Sequence, residues 1–303
     1  MERRFAILDV FSDKPLAGNQ LAVVLDAEGL SDADMQSIAI EFGYSETTFL
    51  TPANAGGHTA GLRIFTPANE LPFAGHPTVG SAIIAGLEAG MDKAGHGIVV
   101  LEEKVGPVRC AVRYSKSEAP YAEFDLPIIA EAADCAATRE TAAAALGLDA
   151  ADIGFENHEI CAFNGGVPYT MVPVRDLAIA QSAAPTADVA LWREAFGTHS
   201  HNCAYLYCRE TVGADVSFHA RMFGPDSGIL EDSATGSAVA AFAGAVMRFD
   251  APMDGLHSVT VEQGIEMGRP STINLEIDVE SGRMIGGRIG GPAVIVARGT
   301  LFV

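Results

Sequence analysis

The 303-residue chain carries 39 acidic against 19 basic residues, a formal charge of -20, and 49% of it is hydrophobic. Such a length and apolar content suit two medium domains with sizeable cores better than one large one. The negative field repels nucleic acid and anionic lipid, so neither is expected as a partner, and no stretch reaches the roughly 18–20 uninterrupted apolar residues of a membrane span.

From the N-terminus, MERRFAILDVF has an apolar run broken at Asp9 and no small-residue cleavage pattern. It reads as a first strand rather than a secretory signal, which places the protein in the cytoplasm. Period-two alternation marks further strands in RFAILDVF (4–11), LAVVL (21–25), TTFL (47–50), LRIF (62–65), GIVVL (97–101), PVRCAVR (107–113) and YAEFDL (121–126). Between them, SDADMQSIAIEF (31–42) predicts an amphipathic surface helix capped by Ser31, with Met35, Ile38 and Phe42 on its apolar side. The helix starting near His76 is of another kind. Its Val79, Ile83, Ile84 and Leu87 are interleaved only with Gly, Ser and Ala, so every side can face apolar neighbours and the helix is expected to be buried.

The second half repeats this grammar. An Ala-rich surface helix is expected near 138–147, strands near 158–163, 203–208, 216–223, 258–262 and 272–278, and a wholly apolar helix over about 236–248. EAADCAATRE (131–140) reads as a boundary, and SGRMIGGRIGG (281–291) as a second break before the last strand, AVIVARG. Strands outnumber helices and do not alternate with them, which disfavours a doubly wound parallel sheet. The expected class is α+β: two similar domains, each a mostly antiparallel sheet rolled around a central apolar helix. Their boundaries are drawn at 1–126 plus 286–303 and at 127–285.

The five cysteines, at 110, 135, 161, 203 and 208, form no CxxC pair, and their odd number suggests reduced thiols. Cys110, Cys161, Cys203 and Cys208 stand in strand-like apolar runs, where a thiol acts as a small hydrophobe. His199 and His201 form an HxH pair with no carboxylate or thiol at helical ligand spacing, so no metal is expected there.

The two apolar helices begin alike. The first turn of a helix has backbone N–H groups without internal partners and a partial positive charge, so Gly75-His76 and Gly236-Ser237 can each cradle an anion. Pro77 fits that first turn, where its missing N–H costs nothing. Singly, each motif is equally ordinary capping or packing; their recurrence before two all-apolar helices favours function. If the mouths face each other, their amides let an acidic protein bind a small carboxylate. Glu46, at the head of the TTFL strand, is a candidate proton carrier, since burial beside apolar walls raises a carboxyl pKa toward neutrality. A solvated strand-edge carboxylate is the commoner fate of such a glutamate, and from this segment alone that reading wins. Asp232 can bind a substrate hydroxyl or amine, or cap the turn, and His76 suits a neutral, positioning imidazole because a helix N-terminus disfavours its charged form.

At these residues the chain resembles the phenazine-biosynthesis isomerase (PhzF-like) family within the diaminopimelate epimerase-like fold. The resemblance runs through DVFSDKPLAGNQLAVVL, GYSETTFL, LRIFTPANELPFAGHPTVG, EDSATGSA and GGRIGGPAVIVARG, in family order over nearly the whole chain. It implies an active site between two domains, a homodimer, catalysis by Glu46 without metal or organic cofactor, and substrate contacts from Asn19, Gly75, His76, Asp232, Gly236 and Ser237. Gln20 and Ser233 stand where the family commonly has proline, which leaves the fold intact and bears on the substrate. Related epimerases and racemases use two opposed cysteines, and the corresponding places here are Ala74 and Thr235. One carboxylate and no thiol pair suit proton transfer within a small cyclic carboxylate, such as a dihydro-hydroxyanthranilate. A cofactor-independent racemase or epimerase of an amino or hydroxy acid, and a non-catalytic carboxylate-binding protein, are the alternatives.

Overall fold

The computed structural model describes residues 2–197 and 202–303. The chain divides into two compact units, Met1–Asp125 with Gly290–Val303 and Leu126–Ile289.

The first unit opens with β1 (Glu2–Val10) and β2 (Asn19–Val24), an antiparallel pair in register from Phe5↔Val24 to Val10↔Asn19. The loop between them ends on Gly18, with φ +67° and a backbone so close to Val10 and Ser12 that a Cβ has no room. Only glycine fits that turn, and it delivers Asn19 to the head of β2. Next comes α1 (Asp32–Phe42), started by a Ser31–Asp34 capping box and stopped by Gly43 in the left-handed conformation. It buries Met35, Ile38 and Ala39. The chain then enters β3 (Glu46–Thr51), parallel to β2 with Leu21 opposite Glu46.

Antiparallel to β3 runs β4 (Ala60–Phe65), to which the two-residue β5 (Glu70–Leu71) attaches. Three residues later α2 (Gly75–Glu88) begins, with every residue from Gly75 to Gly86 buried. Such burial is what the missing polar face requires, and each of Val79, Ile83 and Ile84 contributes roughly 1.5–3 kcal/mol by leaving water. The helix lies so close to the sheet that a Cβ on Gly80 would come within 2.9 Å of Val10 Cγ2. β6 (His96–Glu103) continues the sheet parallel to β4, followed by antiparallel β7 (Gly106–Arg113) and β8 (Tyr121–Asp125). α2 packs on β1, β2, β3, β4, β6, β7 and β8.

The second unit contains β9 (Glu131–Ala133), α3 (Arg139–Leu146), β10 (Cys161–Asn164) and β11 (Pro168–Pro173). After these come α4 (Leu177–Ser182), α5 (Val189–Phe196), β12 (Ala204–Cys208), β13 (Phe218–Gly224) and β14 (Ile229–Asp232). The unit finishes with α6 (Gly236–Phe249), β15 (Gly255–Gln263) and β16 (Ser271–Glu280). From β10 through β13, β15 and β16 the pairings alternate antiparallel, parallel, antiparallel, parallel, antiparallel. The same alternation runs from β1 through β4, β6 and β7. β14 hangs from β13 and leads into α6 as β5 leads into α2. α6 packs on β9, β10, β11 and β16, and its Phe242 ring lies 4.7 Å from Tyr207 and 5.0 Å from Phe218. A further apolar layer joins α3, α4 and α5 through Ala142, Leu146, Ala180, Trp192 and Phe196.

The last strand, β17 (Arg283–Phe302), runs from the second unit into the first. There it pairs antiparallel with β1 and also pairs with β8, so the pairings of the first unit close into a ring.

One sequence expectation needs correction, and two further stretches form elements that the sequence pattern does not announce. SGRMIGGRIGG contains the change of unit between Ile289 and Gly290 but is no break in the strand: only Ser281 and Gly282 make a turn, both at positive φ, and the remaining residues belong to β17. PYTMVP is a strand despite its two prolines, which stand at its ends, where Pro is tolerated. Residues 177–196 hold two short helices, capped by Asp176 and Asp188, that no long apolar periodicity announces. Among the described residues no helix is long and apolar enough to cross a membrane. All five cysteines are free thiols, with Cys135 exposed and the other four buried. His199 and His201 lie outside the described residues.

Candidate active site

In the first unit, three elements bring their first residues together. Asn19 opens β2, Glu46 opens β3, and His76 is the second residue of α2. Because β2 and β3 are parallel, their heads lie side by side, and α2 starts at the same end. The His76 imidazole is 5% exposed, with Nε2 at 3.5 Å from Glu46 Oε2 and Nδ1 at 3.4 Å from Asn19 Nδ2. Ser45 donates its hydroxyl to Asn19 Oδ1 at 3.5 Å, so the amide oxygen is engaged and the amide nitrogen faces His76. This suits the neutral tautomer, in which Nδ1 accepts from Asn19 and Nε2–H faces Glu46.

Glu46 has 13% of its side chain exposed, and among the described residues its Oε2 has no hydrogen-bond partner. Burial pushes its carboxyl up to about 7, only partly opposed by the Ser45 hydroxyl. Among the described residues no Lys or Arg pairs with it, so desolvation dominates. Gly75 opens α2 after Ala74, which offers no side chain to cap the first turn. Behind this turn, the Thr78 hydroxyl lies 2.7 Å from Ala74 O and 2.8 Å from Glu103 Oε1. Glu103 is itself buried, which pushes its carboxyl up to about 8, with the Thr78 hydroxyl partly opposing.

In the second unit, Asp232 ends β14, Thr235 is the N-cap of α6, and Gly236 and Ser237 open that helix. Thr235 donates from Oγ1 to Asp232 Oδ2 at 2.6 Å instead of capping the helix with its side chain. Gln263, fully buried at the end of β15, contacts both: its Nε2 donates to Asp232 O at 2.8 Å and to Thr235 Oγ1 at 2.9 Å. Ser237 Oγ and Tyr169 OH are 2.8 Å apart. The Tyr205 hydroxyl is buried and has no hydrogen-bond partner among the described residues, and burial together with the Asp232 charge pushes its pKa up.

The seven residues singled out in the sequence thus form two groups, one per unit: Asn19, Glu46, Gly75 and His76, then Asp232, Gly236 and Ser237. Missing from the sequence reading were Ser45, Tyr169, Tyr205 and Gln263. Ser45 sits inside the GYSETTFL motif and was within reach, whereas Gln263 lies 28 residues from Thr235 with no local signal. A groove of about 490 Å³ elsewhere in the first unit, bordered by Arg3, Asp26, Glu28 and Glu88, contains none of these residues. Its Asp26 and Glu88 carboxylates are engaged by Arg4. Among the described residues, no group of three or more His, Cys, Asp or Glu has the arrangement of a metal site.

A family model described as phenazine biosynthesis-like protein (PhzC-PhzF) matches residues 8–299. The chain belongs to the PhzF-like family. Within that family it is similar to an uncharacterized isomerase of Mesorhizobium japonicum, 49% identical over 99% of both chains. It is also similar to the trans-2,3-dihydro-3-hydroxyanthranilate isomerase of Pseudomonas chlororaphis, 33% identical over 99% of both. A PhzF-family protein of Bacillus anthracis shares its fold, with a TM-score of 0.87 at 24% identity and 100% of each chain covered. The chain is therefore an enzyme of a PhzF-like isomerase family, with that family's mixed α and β fold.

Proposed function

We propose that this PhzF-like enzyme moves a proton within a small cyclic carboxylate of the trans-2,3-dihydro-3-hydroxyanthranilate type, with Glu46 as both base and acid. The observation that carries this reading is the Glu46 carboxyl, raised to about 7 by burial and 3.5 Å from the His76 ring. A carboxylate of that pKa takes a proton from one ring carbon and returns it to another as the double bond shifts, leaving the composition unchanged. His76, held by Asn19, hydrogen-bonds the substrate or the glutamate from its Nε2–H. The uncapped first turn of α2 at Gly75 binds the substrate carboxylate. Asp232, Gly236 and Ser237 supply the second set of substrate contacts. We read the two units as two versions of one roll around α2 and α6, and the assembly as a homodimer.

Relatives named for this isomerisation support the substrate class. Ala74 and Thr235 at the two N-caps argue against a two-thiol racemase, because an alanine carries no proton and the threonine proton is given to Asp232.

Glu46→Gln keeps the shape and removes the proton carrier. Its kcat on trans-2,3-dihydro-3-hydroxyanthranilate is expected to fall at least about 10²–10⁴-fold with little change in substrate affinity. In the parent enzyme, kcat/KM should rise with pH through about 7 as Glu46 ionises. Parent-like turnover by the variant in deuterated water, followed by NMR, would remove Glu46 from the mechanism.

A further inference from the structure

We propose that Thr235 and Gln263 form a positioning relay that fixes Asp232 as an oriented hydrogen-bond acceptor for an amine or hydroxyl of the substrate. The inference rests on the reading that Asp232 contacts substrate and adds what holds it in place.

The direction of every bond in the relay follows from counting protons. Thr235 N–H donates to Gln263 Oε1 at 3.3 Å, which identifies the oxygen end of the amide. The other end, Nε2, therefore has two protons to give, and its two acceptors are Asp232 O at 2.8 Å and Thr235 Oγ1 at 2.9 Å. Thr235 Oγ1 now accepts one proton and has a single proton of its own. That proton goes to Asp232 Oδ2 at 2.6 Å, a length typical of a hydroxyl donating to a charged carboxylate. A threonine serving only as an N-cap would accept from an amide of the first helical turn with its side chain, and Thr235 does not. Its hydroxyl is committed to Asp232, so it is neither a base nor an acid toward substrate.

The anchor of the relay is rigid. Gln263 ends a strand whose neighbour, Glu262, accepts from the Val212 and Gly213 amides and from His219. Gly264 follows at φ +77°, where a Cβ would come within 2.5 Å of Ser233 O, so this turn closes directly on the residue after Asp232. A glutamate at 263 would set a second negative charge beside Asp232, whereas the neutral amide adds none.

Calorimetric binding of two unreactive aromatic analogues to the full-length protein tests the relay. One is 3-hydroxyanthranilate, which carries an amine and a hydroxyl beside the carboxylate, and the other is benzoate, which carries the carboxylate alone. Thr235→Val should weaken 3-hydroxyanthranilate about tenfold and change benzoate less than twofold, Gln263→Met should act in the same direction, and Thr235→Ser should restore parent affinity. Equal losses for both analogues, or no loss for either, would overturn the relay while leaving the Glu46 reading to its own turnover assay. Failure of both analogues to bind the parent protein would instead remove the carboxylate reading, and the relay with it.

Discussion

The burial of Glu46 has a cost in stability that pH makes visible. Its usual pKa of 4.5 rises to about 7 in the folded protein, so the unfolded chain ionises first. Stability is unaffected below about 4.5, falls as pH climbs toward 7, and the full penalty is present above that. A shift of this size corresponds to at most roughly 3 kcal/mol. Glu46→Gln, neutral in both states, is therefore expected to be more stable than the parent by about 1–3 kcal/mol at pH 8 and by little at pH 4.5. Urea unfolding at the two pH values measures the difference. Equal stability gains at both would show that the carboxyl is not desolvated. Glu103 fits the same logic by geometry: Thr78 has one proton and two nearby acceptors, so a Glu103 that brings its own proton satisfies both contacts. At this scale the sequence was informative where a motif holds the residue, as with Glu46, His76 and Asn19. It was silent on Gln263, because a partner 28 residues away on another element appears only once the β15–β16 hairpin has a path.

The two buried helices were the most legible elements, since a helix with no polar face has only one place to go. Their fit to the sheet is tighter than an apolar pattern reveals. A Cβ on Gly244 of α6 would clash with the edge of the Phe163 ring, and one on Gly165, beside that strand, would come within 2.8 Å of the Ala240 and Ala241 backbone. Gly244→Ala sets a helix-propensity gain of about 1 kcal/mol against overpacking of about 1–3 kcal/mol in a core that cannot give way. We expect net destabilisation of about 1–2 kcal/mol by chemical denaturation; a stabilised variant would mean that the Phe163 ring moves aside freely. The elements missed in the sequence share the opposite character. α4 and α5 are short and held by their aspartate caps and by Trp192 and Phe196 in the core, and β11 is held by its neighbours between two prolines. Tertiary packing decides such segments more than local pattern does.

For the molecule as a whole, the repeat of grammar was readable, but the path of the last strand was not, because glycines that punctuate most chains are here inside β17. That strand matters more than its position at the C-terminus suggests. It pairs with β1 from Val10↔Ala293 to Glu2↔Phe302, and it also pairs with β8, with Ala293 N–H bonded to Pro120 O at 2.9 Å. Removing residues 290–303 would leave β1 and β8 each with an unpaired edge, and β1 is rich in buried apolar side chains such as Ala6, Leu8 and Val10. Exposed apolar edges recruit other chains, so the truncated protein is expected to aggregate on expression, with amide protection lost in β1 and β8 by hydrogen exchange. Removing only Phe302 and Val303, which are 79% and 52% exposed, cuts one ladder position and should leave solubility and melting temperature nearly unchanged. A soluble, cooperatively folding 1–289 chain with protected β1 amides would mean that the ring of the first unit does not depend on β17 for closure, and that α2 is enclosed by the remaining seven strands alone.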